Sequence, residues 1–219
     1  MTASTKGELT RQEILQKVND LFNQSGIEHT IVQISKSIGI GKSRITNYFP
    51  KKDDLIISLL REYEAEMADW VSNYTSKTEI RNFCEYVPYL VGIMELMFEY
   101  RRVISLSLIN PKPDGDVIHH MRSRYEMNKR QIRDRLEVFA RNGLIREELL
   151  KPENFEIFIF QFFCMTSNWI VMYNVLDGDI EFKLVKVRYL KSILCCFDSY
   201  LTDKGRKDMS NAFNTLSQN

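Results

Sequence analysis

The residues best suited to chemistry lie between His29 and Lys52, where five basic side chains (Lys36, Lys42, Arg44, Lys51 and Lys52) occur with no acidic one. Such a stretch neutralises phosphates and releases their counterions, so it supplies sequence-independent affinity for nucleic acid. Within it, Lys42, Ser43, Arg44 and Asn47 form the polar face of a short helical run. Arginine and lysine match the acceptors of guanine in a major groove, and asparagine matches adenine. The plain alternative is a small helical bundle whose basic face is merely solvated.

Other chemistries lack a frame. No nucleophile stands with a base, no glycine-rich loop is built to cradle a phosphate, and no paired carboxylates occur in a recognisable arrangement. His119-His120 has no acidic or cysteine neighbour at ligand spacing and reads as a solvated helix start. The four cysteines (Cys84, Cys164, Cys195, Cys196) show neither zinc spacing nor C-x-x-C, and Cys195-Cys196 reads as two small apolar fillers. The expectation is a protein with no catalytic residues, no metal and no cofactor.

The elements that must position the basic residues are marked by a glycine. Counting from Gly39, apolar or aromatic side chains fall five before (Ile34), one before (Ile38), one after (Ile40), six after (Ile45) and nine after (Tyr48). Ser35, a small residue, falls four before. This is the requirement of a helix-turn-helix: the glycine takes the tight turn, the isoleucines fill the wedge, and the serine permits close approach.

Upstream, Thr10-Arg-Gln-Glu13 matches a capping box after a polar tail of nine residues, and Ile14, Leu15, Val18, Leu21 and Phe22 form an apolar stripe that ends at Gly26. Thr30 can cap the next helix. Downstream, Asp53 and Asp54 favour the start of a helix running to about Asn73. Further helices are expected over Val117–Arg141, Glu153–Leu176 and Glu181–Leu201, with breaks near Pro111–Gly115, Gly143, Pro152 and Gly178 and a break or kink at Pro88. The last dozen residues read as loose.

Composition agrees with an all-α chain: 219 residues contain only nine glycines and five prolines, 44% hydrophobic and 27% charged residues, and a net charge of +1. That balance excludes a protein that coats nucleic acid with its whole surface. The apolar run Phe155–Leu176 carries Glu156, Gln161, Asn168 and Asn174, so a buried or interfacial helix is preferred to a membrane span. No secretion leader is read, which points to a reduced, cytoplasmic setting.

From Leu9 to about Leu60 the chain resembles the amino-terminal domain of TetR/AcrR-family transcriptional regulators. The resemblance runs through Leu21-Phe22, Gly26, Thr30, Ile34, Gly39-Ile40, Lys42 and Ile45. It is most specific at Tyr48-Phe-Pro-Lys-Lys-Asp-Asp-Leu55. It implies that Thr30, Tyr48 and Lys52 touch phosphates while Lys42, Ser43, Arg44 and Asn47 face the groove. Three positions depart from the family pattern. Gly41 replaces a capping serine or threonine, Thr46 replaces a backbone-touching tyrosine but keeps a hydroxyl, and Lys51 replaces a capping serine.

The resemblance further implies three parts: an all-α helix-turn-helix domain (residues 9–55), a connecting helix (56–74), and a larger helical ligand-binding and dimerisation domain (75–205). The implied function is that of a homodimeric regulator, in the first instance a repressor. It would bind a pseudo-palindromic double-stranded DNA operator and be released by a small molecule. The alternative is a helical dimeric small-molecule-binding module that does not read DNA. Candidate ligand contacts are Met94, Met97, Phe98, Tyr125, Phe162, Met165, Trp169 and Tyr173, with Asn168 behind them. Trp169 and Tyr173 lead because their polar tips require partners. Along 155–176, Phe158, Phe162, Met165, Trp169 and Met172 share one face and Phe155, Ile159, Phe163 and Ile170 lie opposite, so two burial partners are expected, although such stripes also serve as ordinary core.

Overall fold

The computed structural model describes residues 6–109 and 115–216; for 109, 115–121 and 124 it describes the backbone alone. The breaks expected at 111–113 therefore lie outside the described residues, as do the side chains of His119 and His120. The described residues form ten α-helices and no strand: α1 (Lys6–Ser25), α2 (Ile31–Ile38), α3 (Lys42–Tyr48), α4 (Lys52–Lys77), α5 (Phe83–Glu99), α6 (Arg101–Ile109), α7 (Gly115–Arg141), α8 (Pro152–Leu176), α9 (Phe182–Leu194) and α10 (Asp203–Leu216). Short 3₁₀ turns occupy Glu147–Leu150 and Cys195–Phe197. The expectation of an all-α fold holds.

The chain divides into two compact units, one formed by residues through Asp69 with Glu95–Ile109, the other by Trp70–Met94 with residues from 110 onward. In the first, α1 buries Ile14, Leu15, Val18 and Phe22, and Ile34, Ile45, Phe49, Leu55 and Leu59 of α2 to α4 are buried as well. In the second, Phe83, Phe139, Phe158 and Phe197 form the centre. Phe83 meets Phe139 at 4.9 Å and Phe197 at 5.3 Å in edge-on contacts. These ring geometries are the favoured ones for aromatic pairs.

Several expectations are corrected. Helix α1 begins at Lys6, inside the presumed tail. Thr10 is therefore not a cap: its hydroxyl donates to the Lys6 carbonyl one turn back, at 3.0 Å. Helix α5 continues through Pro88 rather than breaking there, with the proline in its second turn. Helix α9 stops at Leu194 rather than Leu201, passing into the 3₁₀ turn. The loose carboxyl-terminal segment is instead α10, anchored by Gly205, Met209 and Ala212 at helical spacing. Cys195 is exposed and only Cys196 is half-buried, so the pair is not jointly a filler.

Helix α8 is also corrected. Phe155, Phe158, Ile159, Phe162, Trp169, Ile170 and Tyr173 are all buried along one broad arc, which merges the two expected faces. Ile157, Phe160, Met172 and Val175 lie on the other arc and are exposed, Met172 having left its expected partners. At 100° per residue the buried set spans about a third of the circumference, as a helix packed from one side requires. Among the described helices, α8 alone is long and apolar enough to cross a membrane.

Candidate nucleic-acid interface

The turn between α2 and α3 is built by local hydrogen bonds. Thr30 caps α2, its hydroxyl accepting from the Gln33 amide at 3.3 Å, while the Gln33 side chain accepts from the Thr30 amide at 2.8 Å. This reciprocal box fixes where α2 begins. The helix ends at Gly39, whose φ of +69° is the left-handed conformation that side chains resist. Ser35 then staples the turn: its hydroxyl donates to the Ile40 carbonyl at 2.7 Å, and its own carbonyl accepts from the Ile40 amide at 3.2 Å.

Ile34, Ile40 and Ile45 are buried in the wedge. Helix α3 starts from Gly41, which offers no side-chain cap, and the Gly41 carbonyl accepts from the amides of Arg44 and Ile45. The start of α4 is secured by Asp54, whose carboxylate accepts from the Lys51 amide at 2.8 Å. Thus the position occupied by Lys51 gains its cap from three residues downstream.

This frame leaves Lys42, Ser43, Arg44, Asn47 and Tyr48 exposed, with Thr46 and Lys52 half-buried and Thr30 exposed at the start of α2. Some of these side chains have internal partners. The Thr30 hydroxyl is engaged in its capping box, and the Thr46 hydroxyl donates to the Ser43 carbonyl at 3.2 Å. The Arg44 guanidinium donates to the Thr10 hydroxyl of α1 at 3.2 Å. Arg11, the next residue of α1, lies over the Phe49 ring at 5.2 Å and is 3.8 Å from Glu62 of α4.

Of the eight candidate ligand contacts, Met97 and Phe98 belong to the first unit and the other six to the second. Met94, Met97, Phe162, Trp169 and Tyr173 are buried, and Phe98, Tyr125 and Met165 are half-buried. Trp169 stacks on Phe182 at 5.3 Å and approaches Tyr189 at 5.8 Å, and Tyr173 meets the same two rings, so these two candidates share one aromatic cluster. The Tyr173 hydroxyl donates to the Ile180 carbonyl at 2.7 Å, whereas the Trp169 indole N–H is buried without a partner among the described residues. Tyr125 instead packs against Phe163, at 4.7 Å. Asn168 is exposed and bonds to the Cys164 carbonyl of its own helix.

Sequence reasoning missed the buried Asp177, which closes α8 and accepts from Arg188 and Tyr189 of α9. Its Asp-Gly-Asp setting signals a turn and hides the buried role. Burial, and then this carboxylate, push the Tyr189 phenol above its usual pKa.

The first unit also contains a cavity of about 730 Å³ lined by polar groups, including Glu62, Glu66, Glu99 and Tyr100, with Phe98 at its wall. Tyr100 donates to Glu66 at 2.9 Å. Burial raises the pKa of Glu62 and of Glu99, and their acidic neighbours add to the effect. Among the described residues no cluster of three metal-ligating side chains occurs.

No protein-family model matches the chain, and no curated protein sequence does. Solved structures do. A TetR-family transcriptional regulator from Marinobacter aquaeolei VT8 is similar over 95% of this chain and 98% of its own, with a TM-score of 0.71 and 19% identity. CprB, a TetR family protein from S. coelicolor A3(2), is similar over 98% of this chain and 100% of its own, with a TM-score of 0.66 and 13% identity. A gamma-butyrolactone receptor (ArpA-like protein) is similar over 98% and 99%, with a TM-score of 0.59 and 13% identity. The chain has the all-α fold of TetR-family transcriptional regulators.

Proposed function

We propose that this chain is a cytoplasmic, homodimeric transcriptional regulator that reads a pseudo-palindromic DNA operator and acts as a repressor released by a small molecule. The observation that carries the reading is the wedge-closed α2–α3 unit, which presents Lys42, Ser43, Arg44 and Asn47 from exposed positions in a segment, His29 to Lys52, without acidic residues. In this reading Lys42, Ser43, Arg44 and Asn47 face the groove. Thr30, Tyr48 and Lys52 hold phosphates on either side, and Thr46 keeps a hydroxyl where the family pattern has a backbone-touching tyrosine. Residues 9–55 are the reader, 56–74 the connecting helix and 75–205 the sensor and dimerisation domain.

Two copies of α3 would enter major grooves about 34–36 Å apart, or a multiple of that distance. The effector would be an apolar small molecule meeting some of Met94, Met97, Phe98, Tyr125, Phe162, Met165, Trp169 and Tyr173. The buried, unpartnered indole N–H of Trp169 supports this, since such a donor gains most from an acceptor. A ligand shifts DNA affinity only by binding one conformation better than another, with a coupling of about 1–3 kcal/mol in typical cases.

The test is selection of genomic fragments by the full-length protein, followed by anisotropy titrations of the selected DNA across a salt series. Lys42→Ala and Asn47→Ala are each expected to cost about 1–3 kcal/mol and to relax preference at particular base pairs. Lys52→Ala should weaken binding to all sequences and lower the salt slope by about 1. If the three variants bind as the unmodified protein does, the interface is elsewhere. If the unmodified protein selects no DNA, the chain is a helical dimeric binding module instead.

A further inference from the structure

The Arg44 guanidinium does not stand free on α3 but is held from α1, and the way it is held bears on how DNA would be read. The Thr10 hydroxyl gives its proton to the Lys6 carbonyl, at 3.0 Å, which turns its lone pairs outward. Arg44 donates into them at 3.2 Å. Arginine has five N–H donors in a rigid fork, so this bond leaves most of them available. The partner is also neutral, so this bond itself neutralises none of the cationic charge.

The same helix also carries a carboxylate. Glu13 is one turn further along α1, and the Arg44 charge contributes to holding its carboxyl below the ordinary range. The larger causes of that lowering are the hydrogen bond and the charge of Lys17, whose ammonium lies 3.0 Å from the Glu13 carboxylate. Because Lys17 occupies Glu13, the acid does not clamp Arg44 in a bidentate pair of the kind that would neutralise it. The next residue, Arg11, spans from the Phe49 ring at the end of α3 to Glu62 of α4. It ties α1 to the end of α3 and to α4 one residue from Thr10.

We infer that Thr10 is a positioning residue for DNA reading: it pre-orients the Arg44 guanidinium, which would otherwise surrender its rotamer freedom only on meeting the DNA. The inference rests on the DNA-reading function proposed above and adds to it a residue outside the helix-turn-helix. It predicts that Arg44 works in the single geometry set from α1.

The experiment compares Thr10→Val, which keeps the branched shape and removes the acceptor, with Thr10→Ser, which keeps the acceptor. Both are made in the unmodified and the Arg44→Ala backgrounds. Each variant is titrated with a DNA fragment selected by the unmodified protein, and its thermal unfolding midpoint is measured alongside. Thr10→Val is expected to bind about three- to tenfold more weakly, Thr10→Ser to bind like the parent, and Thr10→Val to have no further effect once Arg44 is alanine. The midpoints of the two Thr10 variants should agree. Parent-like binding by Thr10→Val overturns the inference, as does a loss that persists in the Arg44→Ala background. Either result leaves the DNA-reading function standing, whereas failure of the unmodified protein to select any DNA removes both.

Discussion

At Gly205 a β-carbon would lie 1.9 Å from the carbonyl oxygen of Leu144, a backbone atom with no rotamer to escape into. Alanine normally favours a helix over glycine by about 1 kcal/mol, but here the collision outweighs propensity. Gly205→Ala is expected to destabilise the protein by about 2–3 kcal/mol, lowering the thermal midpoint by roughly 5–10 °C. At Gly92 the obstacle is the indole of Trp70, 2.0 Å from the same ideal position. That ring is confined by Tyr74 and Tyr89, at 5.1 and 5.5 Å, so it too resists displacement. Gly41 has the opposite environment: nothing lies within 4 Å, its φ is −56°, and α3 has no side-chain cap. Gly41→Ser should therefore supply the missing acceptor and stabilise by about 0.5 kcal/mol. Urea or thermal unfolding of Gly205→Ala and Gly41→Ser checks the signs, and a destabilising Gly41→Ser would contradict the reading of α3 as uncapped.

The elements legible in the sequence are those whose buried residues are large and regularly spaced. Gly39 and the surrounding isoleucines identified α2 and α3 because each residue of the wedge is apolar and the turn tolerates little but glycine. The carboxyl-terminal α10 escaped notice because two of its anchors, Gly205 and Ala212, are too small to raise local hydropathy even at the right spacing. The start of α1 was misplaced because Thr10 and Glu13 fit a capping box as well as they fit a helix interior. Of the candidate interface, the exposed face of α3 could be read locally. The Thr10–Arg44 bond could not, since it joins residues 34 positions apart. The carboxylates lining the cavity of the first unit are another product of folding, and they give a pH prediction. Burial first, then the charges of Glu66 and Glu95, raise the Glu99 carboxyl above 4.5. A carboxyl that binds its proton more tightly when folded is least harmful at low pH, and its cost appears as pH rises from 4.5 through the folded value. Glu99→Gln should accordingly raise stability at pH 7.5 and leave it nearly unchanged near pH 4, flattening the slope between. The Glu99 carbonyl, which accepts from Asn19 and Asn23, is backbone and survives the change. Urea midpoints across that range test the sign, and an equal effect at both ends would exclude the carboxyl as the cause.

For the whole molecule, the net charge of +1 is the sum of a +5 segment between His29 and Lys52 and a remainder of −4. A single reader with so few cations gains only modest, salt-sensitive affinity, so selectivity at a site calls for two readers joined. The exposed apolar arc of α8 offers the means of joining. Phe160 is 67% exposed, Val175 72%, and Leu184 of the adjoining α9 71%, all on the second unit. Large apolar side chains concentrated on one helix face mark an interaction surface more often than chance exposure does. A symmetric pair would use the same face twice, as an isologous contact requires, and α8 and α9 lie within residues 75–205, the proposed dimerisation domain. Introducing like charges there should separate the copies without disturbing either core, because the buried arc of α8 faces away. The variant Phe160→Glu with Leu184→Glu is expected to elute and scatter light as a monomer, to retain the helical circular dichroism of the parent, and to lose at least about 100-fold in affinity for a two-half-site fragment. Its affinity for a single half-site should be unchanged, because each reader is intact. A monomeric variant with undiminished affinity for the full site would separate dimerisation from DNA reading, and a variant still dimeric would assign the contact to another face.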